Sequence, residues 1–244
     1  MEQMEKKILG VIGGLGPMST TYFMEQTIRM TDASTEQQNV DMIVYNFPSI
    51  PDRTGYILGS NLKSPLPGLL WAGRSLVRQD VDCIAIPCIT AHFFYEELTE
   101  QIRIPILNGV AETVKHLKEN GVASAGIMAT DGTIFSGLFS QELLAQGIKP
   151  FLPSKQRQSD VMHLIYNNIK AGKPAEMKRF TAVEEELRQR GAEVIILGCT
   201  ELSLIKRDHP LGPGFLDAMQ VLARQAVLRC GKRVRKEYAR LITC

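Results

Sequence analysis

The chain has 244 residues, 44% of them hydrophobic, so it can bury a sizeable core in one large domain or two smaller ones. Its 28 Lys and Arg residues nearly balance its 26 Asp and Glu residues, which leaves a formal net charge of +2. This balance gives no reason to expect nucleic acid or an anionic membrane as a partner. The five cysteines form no CxxC pair, which argues against a disulfide framework or a zinc site.

No apolar run reaches the roughly 18 residues that a membrane span requires. The N-terminal sequence MEQMEKKILG lacks the pattern of a secretory signal peptide. We therefore expect a cytoplasmic protein whose cysteines are free thiols. The basic stretch RCGKRVRKEYAR is interpreted as the solvated part of a last helix.

In chain order, short apolar runs alternate with longer amphipathic stretches. The runs predicted as strands are KILGVIG, DMIVYNF, VDCIAIP, VASAGIMAT, the edge strand IKPFLP, and AEVIILGCT. The stretches predicted as helices are STTYFMEQTIRMTDA with Ser19 or Thr20 as N-cap, PLPGLLWAGRSLVRQD, AHFFYEELTEQI, AETVKHLKENG, TIFSGLFSQELLAQG, SDVMHLIYNNIKAGK, PAEMKRFTAVEEELRQRG and AMQVLARQAVLRCGKRVRKEYARLI. Continuous apolar strands between helices are typical of parallel sheets covered by helices.

Two segments of the first half have counterparts in the second. VDCIAIPC aligns with AEVIILGC when Cys88 is placed over Cys199, and GVIGGLG aligns with GIMATDG. The order of the two matches is the same, so we predict an α/β protein of two pseudo-symmetric domains, each with a parallel sheet flanked by helices. The predicted boundaries are 1–107 plus 209–244 for the first domain and 108–208 for the second. Because parallel sheets bind ligands at the carboxyl ends of their strands, the site is expected in the cleft between the domains.

Two cysteines occupy equivalent places in these halves. Cys88 and Cys199 each follow a strand and precede a predicted helix, whose free N–H groups can stabilise a thiolate. One buried cysteine alone is more simply a packing residue, but the repetition favours function. Cys83 is interpreted as a core residue, and Cys230 and Cys244 as incidental.

Polar residues stand close to both thiols. His92 follows Cys88 by four residues and could act as a base, cap the turn or stack beneath the loop. Glu201, two residues after Cys199, is the corresponding polar neighbour in the second half. No acid completes a Cys-His hydrolase triad with any specificity.

Two loops of the first half are candidates for ligand contacts. GGLGPMS differs from the dinucleotide fingerprint GxGxxG only in having Ser19 at the place of the third Gly or Ala. A true fingerprint also requires an acidic residue at the end of the second strand, which here ends in Asn46. A turn at Gly14 that presents N–H groups to a small anion is the better interpretation. Arg53, in FPSIPDRTGYILG, can bind a carboxylate in a bidentate manner or pair with a surface acid.

The motifs GGLGP, IPDRT, PCITAHFFYEEL, ATDGT, IKAGK and LGCTEL occur in this order. Together they resemble the aspartate/glutamate racemase family, and within it the aspartate racemase branch, over about residues 8–228. The resemblance implies two pseudo-symmetric α/β domains with the active site between them, a homodimer, and no cofactor or metal. It implies catalysis by Cys88 and Cys199 on a small amino acid.

The resemblance also implies the residues that bind the substrate. Arg53 and Lys170 match the two cations that hold the side-chain carboxylate of an acidic amino acid. Loop amides and hydroxyls hold the α-carboxylate, here at Thr90 and Thr200 with Thr130 nearby. Asn46 lies in a loop that the family uses for its substrate.

One position departs from the family pattern. The residue after the first cysteine is Ile89, where the family usually has Asn, so a polar contact beside the substrate is missing. The implied reaction interconverts L- and D-aspartate, or glutamate, as one thiolate removes the α-proton and the opposite thiol returns one. Relatives of this fold also include hydantoin racemases, arylmalonate decarboxylases and maleate isomerases. A related dicarboxylate isomerase and a non-catalytic binder of an acidic amino acid therefore stay open.

Overall fold

The computed structural model describes residues 7–244, and its strands form two separate parallel sheets. The first sheet contains β1 (Ile8–Gly13), β2 (Asp41–Asn46) and β3 (Cys83–Ala85) in the order β2-β1-β3. The second contains β4 (Ser124–Met128), β5 (Lys149–Phe151), β6 (Val194–Leu197) and β7 (Phe215–Asp217) in the order β5-β4-β6-β7. The predicted α/β class with two parallel sheets is confirmed.

Helices cover both sheets, and they connect successive parallel strands as such crossovers require. The α-helices are α1 (Pro17–Met30), α2 (Arg53–Ile57), α3 (Leu66–Val77), α4 (Tyr95–Gln101), α5 (Gly109–Glu119), α6 (Asp131–Ser136), α7 (Leu138–Ala145), α8 (Lys155–Met162), α9 (Met177–Gln189), α10 (Thr200–Asp208) and α11 (Ala218–Arg229). The 3₁₀ helices are Glu36–Gln38, Ile89–Phe94 and Lys236–Tyr238, and a π-helix spans His163–Ile169.

The two halves repeat one topology. An isolated parallel bridge joins Ile84 of β3 to Ile106, with Ile84 N–H donating to Pro105 O at 2.9 Å and Leu107 N–H donating to Ile84 O at 2.8 Å. This bridge extends the first sheet on the side where β7 extends the second. In the first sheet, β1, which ends in a glycine, therefore lies next to β3, which leads to Cys88. In the second sheet, β4 lies next to β6, which leads to Cys199.

The two halves also share a hydrophobic core. One cluster of buried side chains includes Leu9 and Val11 of the first sheet together with Ala125 and Ile127 of the second. Helices α5 and α11, which follow equivalent positions in the two sheets, contact each other. This contact fixes the relative position of the two sheets and thus of their strand ends.

The start of α1 differs from the prediction. The helix begins at Pro17 with Gly16 as N-cap, and not at Ser19 or Thr20. Proline suits the first helical position because it has no N–H to leave unpaired there. The hydroxyl of Thr20 instead donates to Gly16 O at 3.0 Å and accepts from Gly14 N–H at 2.9 Å. These two bonds stabilise the loop of residues 14–16, called here the glycine loop.

Two further elements differ from the predictions. The stretch TIFSGLFSQELLAQG forms two helices, because Gly137 between them has φ +69°. The last helix ends at Arg229, and the tail returns to β7, where Thr243 N–H donates to Phe215 O at 2.9 Å. The interpretation of residues 232–240 as part of a helix is therefore wrong, since Gly231 ends it with φ +72°.

One observation bears on the predicted domain boundaries: the C-terminal segment contacts elements of both halves. Residues 209–244, predicted in the first domain, supply β7 to the second sheet and α11, which contacts both α1 and α5. The exact boundaries stay a prediction. No helix within residues 7–244 is long and apolar enough to cross a bilayer.

Candidate active site

Both predicted catalytic cysteines line one enclosed space, called here the inner cavity. Cys88 precedes the 3₁₀ helix Ile89–Phe94, and Cys199 is the N-cap of α10. The inner cavity is lined by Leu15, Asp52, Arg53, Thr54, Cys88, Ile89, Thr90, Thr130, Lys170, Cys199, Thr200 and Glu201. Its volume is about 10 Å³, room for about one water molecule. An amino acid can enter only after the surrounding residues move.

A larger space, called the outer cavity, adjoins the inner one. Its volume is about 480 Å³, and it is lined by Gly14, Gly16, Pro17, Met18, Ser19, Pro48, Ile50, Asp52, Arg53, Ile169, Lys170, Glu201 and Leu204. Four of these residues also line the inner cavity: Asp52, Arg53, Lys170 and Glu201. These four charged side chains therefore separate the thiols from the open part of the cleft.

Arg53 is held rigidly at the start of α2. Its side chain is 7% exposed and donates to Pro51 O at 3.0 Å, Ile50 O at 3.3 Å and Leu15 O at 3.3 Å. Burial lowers the pKa of the guanidinium, but neighbouring Cys88 and Asp52 outweigh it, so the pKa is raised. Its Nε is buried without a partner and can serve an anionic group in the inner cavity.

Lys170 comes from the second half, directly after the π-helix. Its Nζ lies 3.6 Å from Asp52 Oδ1 and 4.0 Å from the ring centroid of Tyr166. Burial opposes its charge, but Glu201, Cys199, Tyr166 and Asp52 raise the pKa of the ammonium. Lys170 is therefore a fixed cation beside the second thiol. An isolated stretch of π-helix is often found at functional sites, and here it sets the position of this lysine.

Three hydroxyls from the two halves meet beside Cys88. Thr90 Oγ1 lies 3.0 Å from Thr130 Oγ1 and 3.0 Å from Thr133 Oγ1, and the last two lie 3.2 Å apart. All three residues are buried. A Cβ added to Gly132 would lie 3.0 Å from Thr54 Cα, so glycine allows the halves to approach here. The sequence indicated Thr90 and Thr130 but missed Thr133.

Glu201 contacts the second thiol. Cys199 Sγ donates to Glu201 Oε2 at 2.9 Å, and Thr200 Oγ1 donates to the same oxygen at 3.2 Å. Glu201 is only 3% exposed. Burial and the neighbouring Glu201 carboxylate raise the pKa of Cys199 well above its usual value. Both effects favour the protonated form of the Cys199 thiol.

His92 does not contact either thiol group by a hydrogen bond. Gly109 N–H donates to its Nε2 at 2.9 Å, so Nδ1 carries the proton and donates to Cys88 O at 3.1 Å. Complete burial lowers the pKa of the imidazole, which is neutral. Its geometry matches the capping alternative, because it ties the backbone of Cys88 to the start of α5.

Two predicted substrate residues lie outside the inner cavity. Asn46 is exposed at the end of β2, beside Gly13 of β1, and lines neither cavity. Gly14 lines the outer cavity with φ +89°, and a Cβ there would lie 2.4 Å from the backbone of Phe47. Of the two, only Gly14 lines the outer cavity.

Ile89, the residue that departs from the family pattern, is a core residue with one side on the cavity. It is 3% exposed and belongs to the cluster shared by both halves. Its Cδ1 would lie 3.2 Å from a Cβ on Gly109, so the end of the side chain packs against the start of α5. The inner cavity has an apolar patch at this point.

Two further residues of the candidate site were missed, although they lie close in sequence to predicted ones. Asp52 precedes Arg53 in the motif PDRT, and Tyr166 lies one helical turn before Lys170. Tyr166 Oη donates to Asp52 Oδ1 at 3.1 Å, and this bond joins the two halves. The four-residue spacing of Tyr166 and Lys170 was a usable signal. Within the described part of the chain, no three His, Cys, Asp or Glu side chains form a group that could hold a metal ion.

Comparison with known proteins agrees with this fold. The profile of the family described as Asp/Glu/Hydantoin racemase matches residues 12–226, so the chain belongs to this family. The prediction of an isomerase of the amino-acid racemase type is confirmed. The chain is 26% identical over 228 residues to the broad specificity amino-acid racemase RacX of Bacillus subtilis (strain 168), which covers 90% of this chain and 96% of that protein.

Solved structures show the same fold. The chain is similar to Picrophilus torridus aspartate racemase with a TM-score of 0.81 and 27% identity, over 95% of this chain and 97% of that one. It is also similar in fold to glutamate racemase from Francisella tularensis subsp. tularensis SCHU S4, with a TM-score of 0.63, 16% identity, and coverage of 90% and 79%.

Proposed function

We propose that the chain interconverts the L and D forms of an amino acid by moving the α-proton between Cys88 and Cys199. The main support is that both thiols, from equivalent places in the two halves, line the same inner cavity. A racemase needs one acid/base group on each face of the α-carbon, and a thiol has a pKa close enough to neutrality for both roles.

The residues around the thiols suit this reaction. The carbanion formed at the α-carbon spreads its charge into the α-carboxylate, which needs fixed donors. The hydroxyls of Thr90, Thr130 and Thr133 lie together and can rotate to donate to it. Thr90 and Thr130 line the inner cavity together with two further threonines, Thr54 and Thr200. In this scheme, the side chains of Cys88 and Cys199 carry out both proton transfers.

Aspartate or glutamate is the proposed substrate, because two cations line the cavity. Arg53 Nε and Lys170 Nζ are the proposed partners of the side-chain carboxylate. A neutral amino acid is the second candidate, because Asp52 lies 3.6 Å from Lys170 and offsets its charge, and Ile89 is apolar. The relative RacX is named for broad specificity.

A panel assay with chiral chromatography tests this proposal. Each enantiomer of aspartate, glutamate, alanine and leucine, and also maleate, is incubated with the wild type and with the C88S/C199S double variant. We expect the wild type, and not the double variant, to interconvert aspartate or glutamate. Conversion of maleate alone would favour a dicarboxylate isomerase. Calorimetric binding of aspartate with no turnover of any compound would favour a binder.

The Arg53→Lys variant tests the carboxylate contact on the same panel. Lysine keeps the positive charge but cannot reproduce the fork of donors. We expect a larger loss of kcat/KM for acidic than for neutral amino acids. An equal loss on all substrates would assign Arg53 to holding the loop carbonyls of Leu15, Ile50 and Pro51. The homodimer and the cytoplasmic location stay predictions, which light scattering and cell fractionation would test.

A further inference from the structure

The two thiols have chemically different neighbours at equivalent positions. Thr90 follows Cys88 by two residues, and Glu201 follows Cys199 by two residues. Thr90 bonds to other hydroxyls, whereas Glu201 accepts directly from Cys199 Sγ at 2.9 Å. A carboxylate can accept a proton and release it again, whereas a threonine hydroxyl does not ionise in this way. The two pseudo-symmetric halves therefore differ in the residue that lies beside each cysteine.

Glu201 reaches from the thiol towards the open part of the cleft. It lines both cavities, whereas Cys199 lines only the inner one. Oε2 accepts from Cys199 and Thr200. The other oxygen, Oε1, would lie 3.5 Å from a Cβ on Gly16, a residue of the glycine loop that lines the outer cavity. The two oxygens of one carboxylate thus bridge the enclosed and the open spaces.

The first thiol has no comparable connection among the residues shared by the two cavities. Arg53 is close to Cys88, but its guanidinium keeps its proton at all ordinary pH values. Asp52 accepts hydrogen bonds from Gly55 N–H at 2.7 Å and from the hydroxyl of Tyr166, and it forms an ion pair with Lys170. Glu201 is therefore the shared residue that combines a proton acceptor with direct contact to a reactive sulfur.

We propose that Glu201 is the proton-transfer partner of Cys199 and carries that thiol's proton between the inner and the outer cavity, while the proton on Cys88 has no such route. This inference rests on the proposed two-thiol racemisation. In the step, the S–H bond of Cys199 breaks and its electron pair stays on sulfur as a thiolate. The proton forms an O–H bond at Glu201 Oε2, and the resulting carboxylic acid releases a proton to water in the outer cavity.

The reverse of this step resets the enzyme. After Cys199 has given its proton to the substrate, Glu201 returns one from the outer cavity. The resting state has the proton on sulfur, since burial and the Glu201 carboxylate both raise the pKa of Cys199. The cations facing this pair, Lys170 and Arg53, stabilise the single negative charge on either partner.

Solvent exchange during turnover tests the inference. Racemisation of L- and D-aspartate and of the neutral panel is run in D₂O, and recovered starting material is analysed for deuterium before inversion is complete. Single Cys88→Ser and Cys199→Ser variants identify which enantiomer each thiol deprotonates. In the wild type, we expect deuterium in the recovered enantiomer that Cys199 deprotonates and little in the other. In Glu201→Gln, the ratio of exchange to inversion should fall about tenfold or more for that enantiomer.

The control is Glu25→Gln, an exposed carboxylate of α1, which should match the wild type. An exchange-to-inversion ratio that is the same in Glu201→Gln and the wild type, or the same for both enantiomers, would overturn the proton route. If Glu201→Gln has no detectable turnover, the pH dependence of Cys199 alkylation by iodoacetamide decides. A lower midpoint than in the wild type supports the proposal, and an unchanged midpoint overturns it. Failure of the two-thiol scheme itself would instead leave racemisation intact in a single cysteine variant.

Discussion

The hydroxyl of Tyr166, in the second half, donates to Asp52 Oδ1 of the first half at 3.1 Å. Asp52 also accepts from Gly55 N–H at 2.7 Å as the N-cap of α2, and Lys170 lies 3.6 Å away. Burial opposes the charge of Asp52, but these partners and Arg53 outweigh it and lower the pKa of its carboxyl. Because Asp52 lines both the inner and the outer cavity, we expect this contact to help close the inner cavity.

Tyr166→Phe removes that contact while keeping the ring under Lys170. A hydrogen bond to a charged group contributes about 1.5–3 kcal/mol, so we expect alkylation of Cys88 and Cys199 by iodoacetamide to become about tenfold faster. Peptide mass spectrometry measures each site. Tyr45→Phe is the matched control, because its hydroxyl contacts Gln79, which lines neither cavity, and not Asp52. Equal alkylation rates in all three proteins would contradict the closing role.

Thr90→Val removes one hydroxyl from the triangle beside Cys88. We expect kcat/KM to fall about 10²-fold, as when one donor to a developing oxyanion is lost. The free energy of unfolding should fall by about 1–3 kcal/mol, since Thr130 and Thr133 lose a partner. Steady-state kinetics and urea denaturation measure the two effects. Thr99→Val, an exposed threonine bonded to its own helix, is the control, and a kcat/KM equal to the wild type in Thr90→Val would argue against this role.

Ile89→Asn restores the amide that the family pattern has beside the first cysteine. We expect the ratio of kcat/KM for aspartate to that for alanine to rise, because a polar group replaces the apolar patch of the inner cavity. The free energy of unfolding should also fall, by about 1–3 kcal/mol, because the end of Ile89 packs into the shared core. Ile89→Val controls for lost packing. A ratio that changes equally in both variants would assign the effect to packing.

Glu176→Gln tests the pH dependence of the segment that follows Lys170. Hydrogen bonds from Arg179, His163 and Asn168 lower the pKa of Glu176 from 4.5 to about 2. Because the pKa is lower in the folded state, this stabilisation is complete above about pH 4.5 and is lost as the pH falls towards 2. The wild type should therefore have a higher Tm than the variant at pH 7, and the difference should shrink by pH 3. A constant difference, or one equal to that of the exposed control Glu100→Gln, would contradict this.

The sequence indicated the fold and most of the site for identifiable reasons. Apolar runs followed by helices predicted parallel sheets, and the equivalent settings of Cys88 and Cys199 predicted two halves. The short strand β7 has the sequence FLD and no longer apolar run, so it could not be recognised without its neighbour β6. Asp52 and Tyr166 were missed because their roles come from a contact between residues 114 positions apart. Asn46 was expected near the substrate, but its strand ends outside the inner cavity.

The central claim is that Cys88 and Cys199 act on opposite faces of one α-carbon. The most direct test measures deuterium incorporation from D₂O into L- and D-aspartate by the wild type, Cys88→Ser and Cys199→Ser. The account predicts that the wild type inverts both enantiomers and forms deuterated product, and that neither variant racemises. Exchange into recovered starting material, for the enantiomer that Cys199 deprotonates, should persist in Cys88→Ser and be lost in Cys199→Ser. Unchanged racemisation in either single variant, or loss of exchange of the same enantiomer in both, would contradict it.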